Sequence, residues 1–532
     1  MLLTANYSSS SSSTLWPRRF STSASILHLL LLATAPSPAA AFWRLPCAAP
    51  VVVERADPIE QPGLVSRHAH TVMGSAAFDF RMDSNSTALA AQQQQSCSTC
   101  KAVEDGSNYW VPTLYYHDAA NGSFAPVAQA GGALIYYLQR TDPRDPEYDA
   151  EKGGKGLLAF PEGFRMVAGT PTRRNKTMGG DERDGGGNII QEPNPVSFAC
   201  LGVDGPATPE LPAHNCPGGM RAQLTFPSCW DGVRLDAPDH KSHMAYPSGL
   251  DTGFCPPSHP KRFITIFMEV LWNVDEFKDQ WGGGGEGGGD GGKQRQPFVF
   301  SHGDPDGYGY HGDFLNGWDV PTLQRAIDTC TDDSGVIERC GALTLRSDDD
   351  MKACRVLPRV AEPYSGLLAV LPGCNPIQSG PEEAVPRPAS DCPGVATEIS
   401  ADPVLPFTDL TQTQTNGGWR FAACARDPAG QERTLRGDSE ARDDMTADGC
   451  VAFCGARGFR LAGVENGREC FCGGDGEITE DRRQKPGLFG NCDMFRCAGN
   501  ATQFCGGYGE VGVYEKCDEG GGECRNMDLP GL

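Results

Sequence analysis

Met445-Thr446-Ala447-Asp448-Gly449-Cys450-Val451-Ala452-Phe453-Cys454, followed by Glu469-Cys470-Phe471-Cys472-Gly473, is the stretch on which the reading of this chain turns. Cys450-x-x-x-Cys454 falls in a predicted helix, with Thr446 placed to cap it. Cys424, Cys450, Cys454, Cys470, Cys472, Cys492, Cys497 and Cys505 all lie between Gly417 and Tyr514. A unit this short encloses little core, so four crosslinks would replace much of the missing burial. A metal site is the competing reading of Cys470-x-Cys472; an even cysteine set in an oxidising compartment favours disulfides. Residues 417–515 are therefore expected to form a small disulfide-rich α+β module.

Outward from that module, the tail over 516–532 is rich in glycine and acidic residues, with Cys517 and Cys524 placed to close a small loop. Upstream, 376–416 is rich in Pro, Ser, Thr and acidic residues and reads as an extended linker. Residues 51–375 alternate apolar segments with turn residues, and the whole chain holds 66 Gly and 41 Pro. That composition favours a large N-terminal domain that is mainly β with few helices, an α+β fold. Phe263–Val270, Leu134–Leu138 and the apolar Pro297-Phe298-Val299-Phe300 read as strands. Val320–Thr329 reads as a helix capped by Asp319, with Leu323, Ala326 and Ile327 on one face. Gly282–Gly292 is nearly all glycine and reads as a disordered surface insertion.

The N-terminus carries Arg18 and Arg19, an apolar run from Ile26 to Ala35, and small residues ending Ala39-Ala40-Ala41. This order predicts a signal peptide over 1–41. The run is shorter than the ~18 residues that span a bilayer, so no integral membrane span is expected after cleavage. All 22 cysteines lie beyond Ala41, consistent with a secreted protein, extracellular or in the cell wall. Sequons at Asn85, Asn121, Asn175 and Asn500 are compatible with a glycoprotein. The net charge of -23 argues against nucleic acid as a partner and against anionic membrane surfaces. Uncharged extracellular polysaccharide fits better.

Asp444-Met445-Thr446, Cys450 to Cys454, Gly458-Phe459, Ala462-Gly463-Val464, Glu469 to Gly473 and Cys505-Gly506-Gly507 stand in the order of the WSC family, which the module resembles. The resemblance implies a disulfide-stapled, polysaccharide-binding fold. Trp419, Phe471 and Tyr508 are its candidate sugar-stacking rings.

The large domain resembles the fungal and algal DUF1996 family, a domain of unknown function. The match is carried by Asp57-Pro58-Ile59, His68-Ala69-His70-Thr71-Val72, Cys97-Ser98-Thr99-Cys100 and Asn108 to Pro112. It continues through Phe160 to Gly163, Ser228 to Gly232, Asp239 to His243, Gly303 to Trp318 and Leu323 to Cys330. The resemblance assigns no reaction, so the residues must carry the chemistry. His-x-His in a strand points both imidazoles to one face, a way to present two metal ligands. His68, His70, His240 and His243 are the candidate ligands, and a divalent metal is the one cofactor they suit. The same set offers general acids and bases: His70, His243, His311, Asp313 and Asp231 are the catalytic candidates. Of these, His70, His243 and His311 are expected to share one pocket. Trp230, Tyr308, Tyr310 and Trp318 supply flat apolar faces for a sugar. Cys97-x-x-Cys100 is expected to serve in structural disulfides.

Three functions compete: a polysaccharide hydrolase or lyase targeted by the WSC module, a non-catalytic wall or matrix binding protein, and a metal-dependent oxidative protein.

Overall fold

The computed structural model describes residues 41–82, 92–142, 145, 155–175, 194–280, 296–364, 368–387, 392, 395–401, 403–412, 418–427, 432–483, 492, 495–507, 509–518 and 524–527. The expected signal peptide up to residue 40, the glycine tract Gly282–Gly292, the sequon Asn85 and Tyr508 lie outside the described residues.

Two five-stranded antiparallel sheets organise the large domain. One runs in the order Phe42–Cys47, Gln129–Leu138, Thr265–Trp272, Met220–Thr225, Val196–Cys200. The other is built from β1 (Val52–Glu54), β2 (His70–Gly74), β3 (Asn108–Pro112), β4 (Arg165–Gly169) and β5 (His311–Leu315), in the order β1-β2-β3-β5-β4. Side chains alternate between faces along each strand. Met73, Tyr109, Met166 and Phe314 therefore join Leu224, Ile266 and Met268 in the core between the sheets. Val72, Trp110, Val167 and Leu315 point the other way, into a second core with Val51, Phe78, Val360 and Tyr364. Gly312 lets the sheets approach: a Cβ there would lie 2.6 Å from Leu224 Cδ2.

The sequence reading of this domain as mainly β with few helices holds. The helix Val320–Thr329 forms as read, with the Asp319 carboxylate accepting from Thr322 N at 3.0 Å. The strand expected at Phe263–Val270 is displaced to Thr265–Trp272, and Leu134–Leu138 is the inner half of Gln129–Leu138.

All 22 cysteines are paired. Cys97 and Cys100 do not bond to each other: Cys97 joins Cys354 and Cys100 joins Cys47, with which it forms an antiparallel bridge. The remaining large-domain pairs are Cys200–Cys216, Cys229–Cys255, Cys330–Cys340 and Cys374–Cys392.

The segment read as an extended linker is instead strapped down where it is described. Gln378 N donates to Gly303 O, Ala384 N to Thr172 O, Ser400 N to Arg359 O and Val404 N to Pro358 O. Phe407 and Leu410 are buried in the core of the C-terminal module. Proline and serine content suggested a spacer; the interspersed apolar residues give the chain area to bury and decide otherwise.

The C-terminal module is a five-stranded antiparallel sheet in the order Trp419–Arg426, Glu510–Lys516, Leu461–Glu465, Glu469–Gly473, Ser439–Ala441, with the helix Ala447–Ala456 packed on it. Thr446 Oγ1 accepts from Gly449 N at 2.9 Å, the cap read from the sequence. Cys450–Cys470 and Cys454–Cys472 tie the helix to one strand, Cys424–Cys492 and Cys497–Cys505 fix the returning chain, and Cys517–Cys524 closes the tail loop. These bonds occupy the sulfurs of Cys470-x-Cys472, so that pair is not a thiolate metal site.

Within this module Asp427 and Glu465 compete for one cation, Arg433, at 2.9 and 2.5 Å. Burial, then the Asp427 charge, pushes the Glu465 carboxyl up to about 8. A carboxyl raised above its unfolded value favours folding below that value, and the benefit fades as pH rises through the folded pKa. The module should therefore lose stability between pH ~4.5 and ~8, by up to about 1.4 kcal/mol per pH unit from this group. Glu465→Gln should flatten that slope in denaturant melts taken across the same range.

Candidate functional site

The second sheet places three polar groups on one face where neighbouring positions are apolar. His311 and Asp313 are two residues apart on β5, and His70 opens β2, two strands away across β3. His68, just before β2, lies beside His70 with ring centroids 4.3 Å apart and the planes inclined at 58°. His68 Nε2 lies 3.0 Å from His311 Nε2, and the His70 and His311 rings are 5.9 Å apart, edge to face. His302, in the turn before the Gly303 block, completes the group, 5.4 Å from His68 and 5.1 Å from His311.

The backbone sets the orientation of these rings. His70 Nδ1–H donates to Ala56 O at 3.0 Å and His311 Nδ1–H to Gly309 O at 2.8 Å. Both Nε2 atoms therefore carry a lone pair. The strand pair β4–β5 closes tightly here: Gly169, opposite His311, has φ +79°, and a Cβ on it would lie 2.4 Å from Tyr310 O. Lys241 Nζ donates to Gly169 O at 2.6 Å, holding the Asp239–His243 loop against this edge.

The site is closed to solvent. His68, His70, His302 and His311 are exposed by 8, 0, 7 and 3 %. Burial lowers all four imidazoles, to about 3 for His70, so they are neutral at physiological pH. Burial, reinforced by the Asp57 charge, holds Asp313 well above the usual carboxylate range. Asp57 itself is pushed up to about 7, chiefly by burial. Neither Asp313 oxygen nor His70 Nε2 has a hydrogen-bond partner. One donor atom from each of His68, His70 and His311 lies within 4.8 Å of the others, and the same holds for Asp57, His70 and Asp313.

His70, His311 and Asp313 thus come together, and His68 joins them. His243, expected in the same pocket, does not. Its Nε2–H donates to Arg165 O at 2.8 Å, and its ring packs on Phe164. Arg165 faces Leu315 in register while Gly169 faces His311, so this anchor is about 13 Å along the strands from His311. His240 also turns away from the expected ligand set, pairing through Nδ1 with Asp236 at 2.8 Å; that bond raises its pKa. Asp231 closes a turn: its carboxylate accepts from Val233 N and Arg234 N and pairs with the Arg234 guanidinium at 2.6 Å. Burial raises the Asp231 carboxyl, but the bonds from Arg234 and Val233 outweigh it and hold the group below its ordinary value.

The aromatic candidates divide as sharply. Tyr310 and Trp318 are core residues, Trp318 Nε1–H donating to Tyr137 OH at 2.7 Å. Trp419 is buried in the C-terminal core. Trp230 and Tyr308 are half-buried, the first stacked on Phe263 and the second bonded to Glu210. The Phe471 ring is covered by Arg433, 4.1 Å above its centroid.

Sequence reasoning missed His302 and the buried Arg174 behind it. Arg174 donates to Gln378 O at 2.8 Å and His302 O at 3.0 Å, joining the strapped segment to the histidine turn. His302 directly precedes the Gly303 block, which was the available signal. Arg174 stands in a polar stretch with no pattern to mark it.

Residues 57–318, the segment that supplies all four histidines, match the family described as Domain of unknown function (DUF1996), and residues 421–507 match the WSC domain. The chain carries a DUF1996 domain followed by a WSC domain. The chain is similar to Kremen protein 2 of Mus musculus, 32% identical over 123 residues, 21% of this chain and 26% of that protein. It is also similar to a WSC domain-containing protein of Arthroderma benhamiae, 31% identical over 114 residues, 21% of this chain and 12% of the relative. Xylosyltransferase oxt of Drosophila melanogaster is 38% identical over 66 residues, 12% of this chain and 7% of the relative. The chain thus spans about a quarter or less of these relatives. A WSC domain suggests carbohydrate binding in a secreted or cell-surface protein, and the many disulfides fit that setting. Among the described residues no helix is long and apolar enough to cross a membrane.

Proposed function

We propose that this is a secreted, polysaccharide-associated protein in which the WSC domain binds extracellular or cell-wall carbohydrate and holds the DUF1996 domain against it. The observation that carries this reading is the complete WSC module, its eight cysteines closed into four disulfides around one sheet and one helix. The net charge of -23 suits an uncharged glycan. A hydrolase or lyase acting through His70, His311 and Asp313 is less well supported. An acid–base pair must reach the glycosidic oxygen, and these groups are exposed by 0, 3 and 1 %.

Retention on insoluble glucan and chitin tests the binding assignment. Truncation after residue 416 should reduce retention roughly tenfold or more. Unchanged retention would move binding to the DUF1996 domain and overturn the proposal.

A further inference from the structure

We propose that the DUF1996 domain binds one late first-row divalent transition ion through the Nε2 atoms of His68, His70 and His311, with Asp313 and Asp57 supplying the balancing carboxylates. This is independent of glycan binding by the WSC domain.

The geometry carries the assignment. Two of the rings are held by backbone carbonyls through Nδ1, as second-shell partners hold metal-ligating histidines, and this leaves Nε2 as the donor. Ligand nitrogens about 2.0–2.1 Å from an ion stand about 2.9–3.4 Å apart in octahedral or tetrahedral sites. The His68–His311 separation of 3.0 Å falls in that range. His70 Nε2, fully buried, and both oxygens of Asp313, 1 % exposed, have no partner. Buried polar atoms without partners are costly, so this many in one place calls for a ligand. Neutral imidazoles suit zinc, copper, iron or nickel; the hard oxygen-preferring ions want a shell made of oxygen alone, and here three of the five groups are imidazoles. The two carboxylates would offset the charge that a dication brings into a buried site.

A purely structural role would use the His68–His311 contact as a hydrogen bond and bind no metal. Titration of the untagged, chelator-stripped full chain with Co(II) separates the two. Visible d–d absorption should saturate at one equivalent and be displaced by Zn(II), and Zn(II) should raise the thermal midpoint of the unsubstituted chain. His70→Gln and His311→Gln should each weaken Co(II) binding ~100-fold or more, while His259→Gln, at a half-buried histidine that bonds Ser242 O outside the cluster, leaves it unchanged. The midpoint shift needs no variant, so it decides the matter even where a histidine substitution prevents folding. Absence of both the absorption and the midpoint shift would overturn the proposal. So would unaltered affinity in folded His70→Gln and His311→Gln chains.

Discussion

Arg55→Ala should destabilise the large domain by about 3–5 kcal/mol and lower its thermal midpoint on the order of 10 °C. Arg55 and Glu362 form an ion pair at 2.8 Å with side chains exposed by only 3 and 6 %. The guanidinium also reaches Ala396 O, and Glu362 accepts from Gly373 N at 2.6 Å. Removing the cation strands a buried carboxylate, and that uncompensated charge is the main cost. Arg55→Met with Glu362→Gln removes both charges while keeping an acceptor for Gly373 N, and should recover most of the loss. Arg55 adjoins Ala56, whose carbonyl holds His70, so the single substitution should also speed exchange of the amides around Asp57. Calorimetry on the three chains checks this. Equal melting of the single and double variants would show that the pair is not the source of the effect.

Trp419→Ala should cost about 3–5 kcal/mol, a large part of the stability of a module of some hundred residues. The indole is 1 % exposed, packed with Phe421, Cys450, Cys454 and Tyr514, and its ring lies under the helix: a Cβ on Gly455 would come within 3.2 Å of it. Glycan retention should then fall in step with the folded fraction. Trp419→Phe keeps most of the apolar volume and should retain both fold and binding. Near-ultraviolet circular dichroism beside a glucan pull-down reads the two quantities separately. A Trp419→Ala chain that stays folded yet fails to bind would restore this ring to the sugar-contacting surface.

Local signals were legible where neighbours in sequence decide the outcome. Asp319 and Thr446 were read as helix caps because a cap bonds to a backbone N–H two or three residues on. His68-x-His70 was read as two positions of one strand; only His70 lies in the strand, and the two rings still meet, 4.3 Å apart. The cysteine count, the acidic balance and the ordered WSC and DUF1996 blocks need no three-dimensional information at all.

What only the tertiary structure decided is which distant segments meet. Register across β2, β3 and β5 brings His70 beside His311 and Asp313, while the same sheet carries His243 to the far end of β4. Cys97 bonds Cys354 and Cys100 bonds Cys47, partners 257 and 53 residues away that the Cys-x-x-Cys spacing does not indicate. Trp419 and Trp318 became core, and the Pro-rich strap became packed chain, because burial belongs to the assembled layers and not to any window of sequence. Motif order thus determined the two families. The buried histidine cluster, the unpartnered Nε2 of His70 and the exclusion of His243 follow from which strands pair, and that pairing joins residues far apart in sequence.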